Sequence, residues 1–484
     1  MTRPFLACAL ALALGGCGGE AREGEPIAVS VVGASLAIAD PDKGPLSGSD
    51  RVLMGATAQG LVRFDAAGQI EPGLAQSWKV TDDGLSYIFR LQESEWAGGE
   101  PVTAAEVVRQ LRRATTPGSR NPLSPFLVVI EEIVEMTPQV IEVRLSRPRP
   151  DLLKLFAQPE LAIFRGNQGT GPFTARPEPR GSLLLSPAGG PILIDGTEDA
   201  TPQPGRQIRL RGERAAMGIA RFKNGKVEAV LGGTFIDWPV LRVADIPAER
   251  VKIDPVLGLF GIAVVSRQGF LADAVNRAAV AMAIDRAAVT QAFRPEWQPV
   301  ETILPAQLDS AVPPALPGWN PVPLEARREN SRVRVRAWQR AHPGLLTLRI
   351  AVPTEPGGTL VWTAIARSLL AVGISVRRVP LSADADLRLI DMVAPYDSGR
   401  WFLVTACRLC SDDARAAIEA ARDAPDLAQR AQAIATADAL LTADSAYIPI
   451  AQPLRWAIVT ARLSGWQGNS RGWHPLNHLL SEIE

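Results

Sequence analysis

The chain reads as a mixed α/β protein, and three observations carry that reading. Strand-like and helix-like runs alternate along nearly all of it. The apolar fraction is 46% against 21% charged, the balance of an ordinary globular chain with a large core. No internal repeat with a period of roughly 20–50 residues is present, which sets solenoids and propellers aside. At 484 residues, and about 100–200 residues per domain, the length predicts two to four domains.

The elements follow in order. Residues 27–32 are β-branched and predict a strand, and 40–50 form a loop of Asp, Pro, Gly and Ser. Residues 61–64 are a short strand. Thr81-Asp82-Asp83-Gly84 is a turn, after which Leu85, Tyr87, Phe89 and Leu91 alternate on one strand face. Thr103 and Glu106 make a capping box for a helix carrying Val107, Val108 and Leu111. Residues 133–145 predict a strand pair broken near 136–139. Glycine and proline interrupt the chain at 166–172 and 177–204, with a strand at 183–185. A strand at 206–210, a helix at 214–223 and a strand at 226–231 follow. The run 256–265 is a buried strand, 272–293 is helical, and 312–323 is a proline-rich linker. Strand 347–352, helix 359–371 and strand 374–379 precede a helical stretch 411–441 broken at Pro425. Final strands lie at 448–450 and 457–459.

Fifty-one basic and fifty-one acidic residues cancel, so net charge steers the chain to neither nucleic acid nor acidic lipid. At the N-terminus, Arg3 precedes an apolar run over 5–14, the order of a secretory signal. The run is shorter than the roughly 20 residues that span a bilayer. Leu14-Gly15-Gly16-Cys17 resembles a bacterial lipobox, which predicts cleavage after residue 16 and acylation of Cys17. An ordinary signal followed by an incidental cysteine is the alternative. Two acyl chains would anchor the protein to a membrane stably. Cys8 leaves with the signal, so only Cys407 and Cys410 remain as thiols and the fold must rest on its core.

Several words then stand in one order. They are Glu71-Pro72-Gly73-Leu74-Ala75 with Ser77-Trp78, Asp83-Gly84-Leu85-Ser86-Tyr87-Ile88-Phe89-Arg90-Leu91, and Trp96-Ala97-Gly98-Gly99-Glu100-Pro101-Val102-Thr103-Ala104. Gly169-Thr170-Gly171-Pro172-Phe173, Arg221-Phe222-Lys223-Asn224-Gly225, Ala283-Ile284-Asp285-Arg286 and residues 444–450 follow. Together they resemble the extracytoplasmic solute-binding proteins of family 5, the peptide, dipeptide and nickel receptors of ABC importers. The resemblance implies a two-lobed periplasmic-binding-protein type II fold with an extra domain inserted in lobe one. Mapped here, it implies a signal at 1–16 and a lipidated tether at 17–26. Lobe one would be built from 27–43, 168–255 and 447–484, the inserted domain from 44–167, and lobe two from 256–446. It also implies a peptide or peptide-like solute, an ABC permease with its ATPase as partners, a monomer, and neither cofactor nor catalysis.

The chain departs from the family where ligand is held. Peptide-binding relatives often carry Trp-x-Ala-Asp-Tyr, whose Asp pairs the peptide ammonium. Here the matching stretch reads Met392-Val393-Ala394-Pro395-Tyr396-Asp397, with Pro395 in the Asp position and Asp397 two residues on. A buried ammonium without a partner is costly, so the departure points to a blocked or modified peptide, or to another solute.

Two clusters are candidate ligand contacts. Gly233, Thr234, Phe235, Asp237 and Trp238 follow a strand, and ligands of open α/β sheets sit beyond strand C-termini. A surface turn capped by Asp237 is the competing reading. Tyr396, Asp397, Arg400 and Trp401 form the second, in which Arg400 suits a carboxylate and Asp397 an ammonium. A solvated loop over a packed Trp401 competes with it. Cys407-Arg408-Leu409-Cys410 reads as two packed thiols, a structural disulfide or a redox pair, the last making a periplasmic thiol oxidoreductase the enzymatic alternative. A non-transporting sensor or holdase lipoprotein on the same fold is the third. Only His342, His474 and His478 are present, none near the cysteines, so no zinc set stands out. Gly169 to Gly171 lack the Gly-Lys-Ser/Thr of a phosphate loop. Arg332, Arg336 and Arg340 form one basic helix face, and Asp285-Arg286 a pair on a helix surface.

Overall fold

The computed structural model describes residues 25–96, 99–188, 206–306 and 308–480, with the backbone of 193–194 and 197–198. Cys17 and the predicted signal lie outside the described residues.

Two sheets organise the chain. The seven-stranded sheet of lobe one runs Phe173–Pro177, Leu183–Pro187, Ile208–Glu213, Ile27–Val32, Ala229–Thr234, Arg455–Val459, Val251–Ile253. Ile27–Val32 is parallel to both neighbours, and Arg455–Val459 is antiparallel to both of its own. The five-stranded sheet of lobe two runs Ser375–Val379, Thr347–Ala351, Leu387–Val393, Gly258–Val264, Tyr447–Ala451. Gly258–Val264 is buried along its whole length because both sheet faces are covered. Its residues divide by parity. Leu259 and Ala263 enter a core shared with the helices Gly399–Ala406 and Leu427–Asp444, while Phe260, Ile262 and Val264 enter a second core under Ala274–Ala283 and Pro356–Leu370.

The inserted domain is a four-stranded antiparallel sheet, Ala75–Val80, Ser86–Leu91, Val140–Leu145, Ile130–Thr137. One face carries Tyr87, Phe89 and Leu91, which pack with Val107, Val108 and Leu111 of the helix Ala104–Thr115. The capping box forms as expected: Thr103 and Glu106 satisfy each other's backbone N–H groups.

Most elements fall where the pattern puts them, and the departures have local causes. The stretch 272–293 divides into Ala274–Ala283 and Arg286–Gln291, because Asp285 caps the second helix. Arg286 is buried rather than on the surface, donating to the carbonyls of Pro449, Ala281 and Ile284. The 40–50 loop ends early: Ser47 caps a helix Gly48–Thr57, whose Leu53 and Ala56 pack in the core of the seven-stranded sheet. This helix also meets the 158–164 stretch, through Arg51 with Glu160 and Met54 with Ala162, so it packs on both lobe one and the segment 44–167. Tyr447–Ala451, assigned above to the last lobe-one segment, pairs with Gly258–Val264 in lobe two. The chain therefore changes sheets after Ala451, through Gln452-Pro453-Leu454, and it also does so through Asp254-Pro255-Val256-Leu257. These two strands of backbone form the hinge side of the molecule.

Candidate functional site

The first sequence cluster sits at that hinge side. Gly233 lies under Trp456, where an added Cβ would stand 2.1 Å from the indole. Trp456 Nε1 donates to the Thr234 carbonyl at 2.8 Å. Phe235 leaves the lobe-one sheet and inserts into the lobe-two core, 5.0 Å edge-on from Phe260 and 6.2 Å from Phe293. Trp238 Nε1 donates to the Phe293 carbonyl at 3.0 Å, and Gly357 N–H to the Ile236 carbonyl at 2.9 Å. Burial, with Glu355 nearby, pushes the Asp237 carboxyl up to about 6. This cluster is a lobe-to-lobe junction.

The second cluster sits where the inserted domain meets lobe two. The inserted domain contributes Arg147-Pro148-Arg149-Pro150 at the end of Val140–Leu145, then the helix Leu152–Phe156. Lobe two contributes the 394–398 loop that leaves Leu387–Val393, then Gly399–Ala406. Asp309 and Arg430 set that helix in place. The Gly399 N–H donates to Asp309 Oδ1 at 2.6 Å, while Arg430 bonds Asp309 at 3.2 Å and Ser398 Oγ at 2.7 Å.

Between the two surfaces lies a cavity of about 150 Å³ whose lining includes Phe126, Arg149, Asp151, Tyr396, Arg400 and Arg430. Tyr396 packs edge-on against Phe126 at 5.6 Å, and burial pushes its hydroxyl up to about 12. Burial, then the charges of Arg430, Arg147 and Arg400, pulls the Arg149 guanidinium down to about 10. Burial also lowers Arg400 and pushes Asp151 up to about 6.

Three side chains clasp the 394–397 loop beside the cavity. Lys154 and Arg471 both pair with Asp397, Gln158 Nε2 donates to the Pro395 carbonyl at 2.6 Å, and Arg471 donates to the Ala394 carbonyl at 3.1 Å. Burial pushes the Asp397 carboxyl up, but the bonds and charges of Lys154 and Arg471 outweigh it and hold it below its ordinary value. Trp401 points away, into the lobe-two core.

Residues 69–182 match the model described as bacterial extracellular solute-binding proteins, family 5 Middle. Over that stretch the chain is similar to the family 5 solute-binding proteins. Among relatives, it is 22% identical over 471 residues to the periplasmic oligopeptide-binding protein OppA of Salmonella typhimurium, covering 87% of this chain and 85% of that one. It is 37% identical to the probable deoxycholate-binding periplasmic protein YgiS of Escherichia coli, over 70 residues that make up 14% of this chain and 13% of that relative. In solved structures, Haemophilus influenzae OppA in complex with RPPGFSPFR superposes with TM-score 0.76 at 17% identity, over 95% of this chain and 98% of that one. The murein tripeptide binding protein MppA of Escherichia coli gives 0.78 at 18%, over 94% and 98%. The fold is the two-lobed one of these binding proteins.

Tyr396 and Arg400 face the cavity, Asp397 stands beside it, and 233–238 and Trp401 serve packing. Arg149, Asp151, Lys154, Gln158, Asp309, Arg430 and Arg471 escaped the sequence reading. Only Arg149 has a local signal, since an arginine between two prolines just after a strand fits neither strand nor helix. Cys407 and Cys410 form a disulfide between the C-terminus of Gly399–Ala406 and the start of Asp412–Asp423. A helix precedes the pair, so the strand-then-helix setting of a thioredoxin-type motif is missing. Among the described residues no group of three or more His, Cys, Asp or Glu side chains is placed to hold a metal.

Proposed function

We propose that this protein is the substrate-binding component of an ABC importer, capturing a peptide or peptide-like solute between its lobes and presenting it to a permease powered by its ATPase. The observation that carries this reading is the pair of sheet crossings at 254–257 and 452–454 that joins the two lobes, with a side-chain-lined cavity between the inserted domain and lobe two. A two-strand hinge permits closure, and closure follows ligand when the closed form binds it better. Binding in the relatives named oligopeptide- or murein-tripeptide-binding supports a peptide-like solute. Tyr396, Asp397 and Arg400 are the contacts proposed from the sequence that remain at the cavity. Gly233, Thr234, Phe235, Asp237, Trp238 and Trp401 act through hinge and core.

Delivery requires the protein to stay near a membrane. The Leu14-Gly15-Gly16-Cys17 sequence supports a signal peptide and a lipid on Cys17 as the tether, and none of the described helices is long and apolar enough to cross a membrane. We read the protein as a periplasmic, lipid-anchored monomer without a cofactor. Mass spectrometry of solute released from protein purified from its native envelope tests the function. A bound peptide-like solute is expected; a full-length protein that carries none, and that no peptide library stabilises against heat, overturns the reading.

A further inference from the structure

The cavity between the inserted domain and lobe two has an excess of positive charge with nothing to balance it. Each acid around it already has a cation. Asp309 pairs with Arg430 at 3.2 Å, Asp423 with Arg422 at 2.7 Å and Arg147 at 3.2 Å, Asp397 with Lys154 and Arg471, and Asp151 lies 3.8 Å from Lys154. Arg149 and Arg400 are left without an ion pair among the described residues. Arg149 donates only to the carbonyls of Pro148 at 2.7 Å and Arg422 at 2.6 Å. Arg400 is 9% exposed, reaches one carbonyl, Pro125, at 3.4 Å, and its Nε has no partner. Its guanidinium lies 5.8 Å from the Phe126 ring. Burying a guanidinium without a counter-charge is costly, and a planar fork beside an aromatic wall is suited to a carboxylate.

We propose that this cavity is an anion subsite, in which Arg149 and Arg400 hold a carboxylate end of the solute. The proposal rests on the solute-binding reading and deepens it by naming the ligand class. At about 150 Å³ the cavity is smaller than whole-ligand sites of roughly 300–1,000 Å³, so it takes one end of a longer molecule. The loop that offers an acid for an amine end, 394–397, already spends Asp397 on two cations. Recognition is therefore by the acid end, and blocking an amine on the solute costs little.

Two arms of one calorimetric and thermal-shift experiment test this on the full chain. The first titrates benzoate, phenyl phosphate and benzamide, whose ring fits the cavity and which need no peptide recognition. Benzoate is expected to stabilise the wild type, benzamide not, and Arg400→Gln and Arg149→Gln to abolish the benzoate shift while keeping the wild-type circular dichroism. Phenyl phosphate binding more tightly than benzoate would replace carboxylate by phosphate as the ligand chemistry and overturn that part. The second arm uses a tri- to pentapeptide library in free, N-acetylated and C-amidated forms. Acetylation is expected to change affinity less than threefold and amidation to lower it tenfold or more, with Arg400→Gln erasing the difference. Peptides that bind regardless of amidation, with benzoate silent, sink the anion subsite and leave the peptide receptor standing. A benzoate shift lost in both variants, with no peptide binding in any form, upholds the subsite and removes the peptide reading. Should a glutamine variant lose its native dichroism, Arg400→Lys keeps the charge without the fork and is expected to weaken benzoate severalfold.

Discussion

The two contacts between the lobes are built from opposite materials. At the hinge side, backbone crosses twice, Phe235 is buried in the other lobe's core, and Trp238 and Gly357 close backbone carbonyls. At the cavity, Lys154 and the buried Gln158 and Arg471 hold the 394–397 loop through long polar side chains, and Arg149 and Arg400 have no ion pair among the described residues. Apolar burial is strong and insensitive to solute. An ion pair near solvent, such as Lys154 with Asp397, contributes little and exchanges partners readily. One contact rests on apolar burial, the other on polar side chains that can change partners.

The contrast can be broken from either side. Phe235→Ala should be the largest effect, a loss of about 3–5 kcal/mol for a buried aromatic ring, read by chemical denaturation. A loss under about 1 kcal/mol would show that the ring is not a joint between the lobes. Asp237→Asn comes next and is read as a pH dependence. The carboxyl holds its proton up to about 6 in the folded protein against an ordinary 3.8, so the folded state binds more protons between those values. Its contribution to stability is full below about pH 4 and disappears as the pH climbs through 6. The wild-type stability minus that of Asp237→Asn should therefore fall across this window and level off above it. A difference that rises instead would place Asp237 in an ion pair. The smallest effect is Lys154→Ala. Its pair with Asp397 is roughly one-third exposed on both sides, so the cost in unfolding free energy should stay below about 1 kcal/mol. Small-angle scattering of the ligand-free protein should nonetheless show a larger radius of gyration, because a contact between the inserted domain and lobe two is lost. An unchanged radius, or a cost equal to that of Phe235→Ala, would erase the distinction between the two contacts.

Much of the molecule was legible before any coordinates. Alternation located the strand Ser86–Leu91, a capping box located Ala104–Thr115, and an apolar run located Gly258–Val264. These are local signals of period and cap, and they survive tertiary packing because packing uses the same faces. Arg286 was misplaced because charge says nothing about burial when three carbonyls stand ready to receive a guanidinium. The segment 233–238 was read as ligand-facing because a strand C-terminus is the usual place for a site. Nothing in the local sequence says that Phe235 has a hydrophobic core from another lobe within reach.

By itself, then, the sequence determined the class of fold, the order of its elements, the likeness of 69–182 to the family 5 solute-binding proteins and the absence of an acid at Pro395, since each is written in short words and periodicities. The tertiary structure alone decided which charges are spent and which are free. Arg149 and Arg400 lie 251 positions apart in the chain, and whether a guanidinium has a counter-charge depends on what distant segments bring beside it. That pairing is a property of three dimensions, and it turned Tyr396-Asp397-Arg400 from a polar cluster into one wall of a cavity whose other wall the inserted domain supplies.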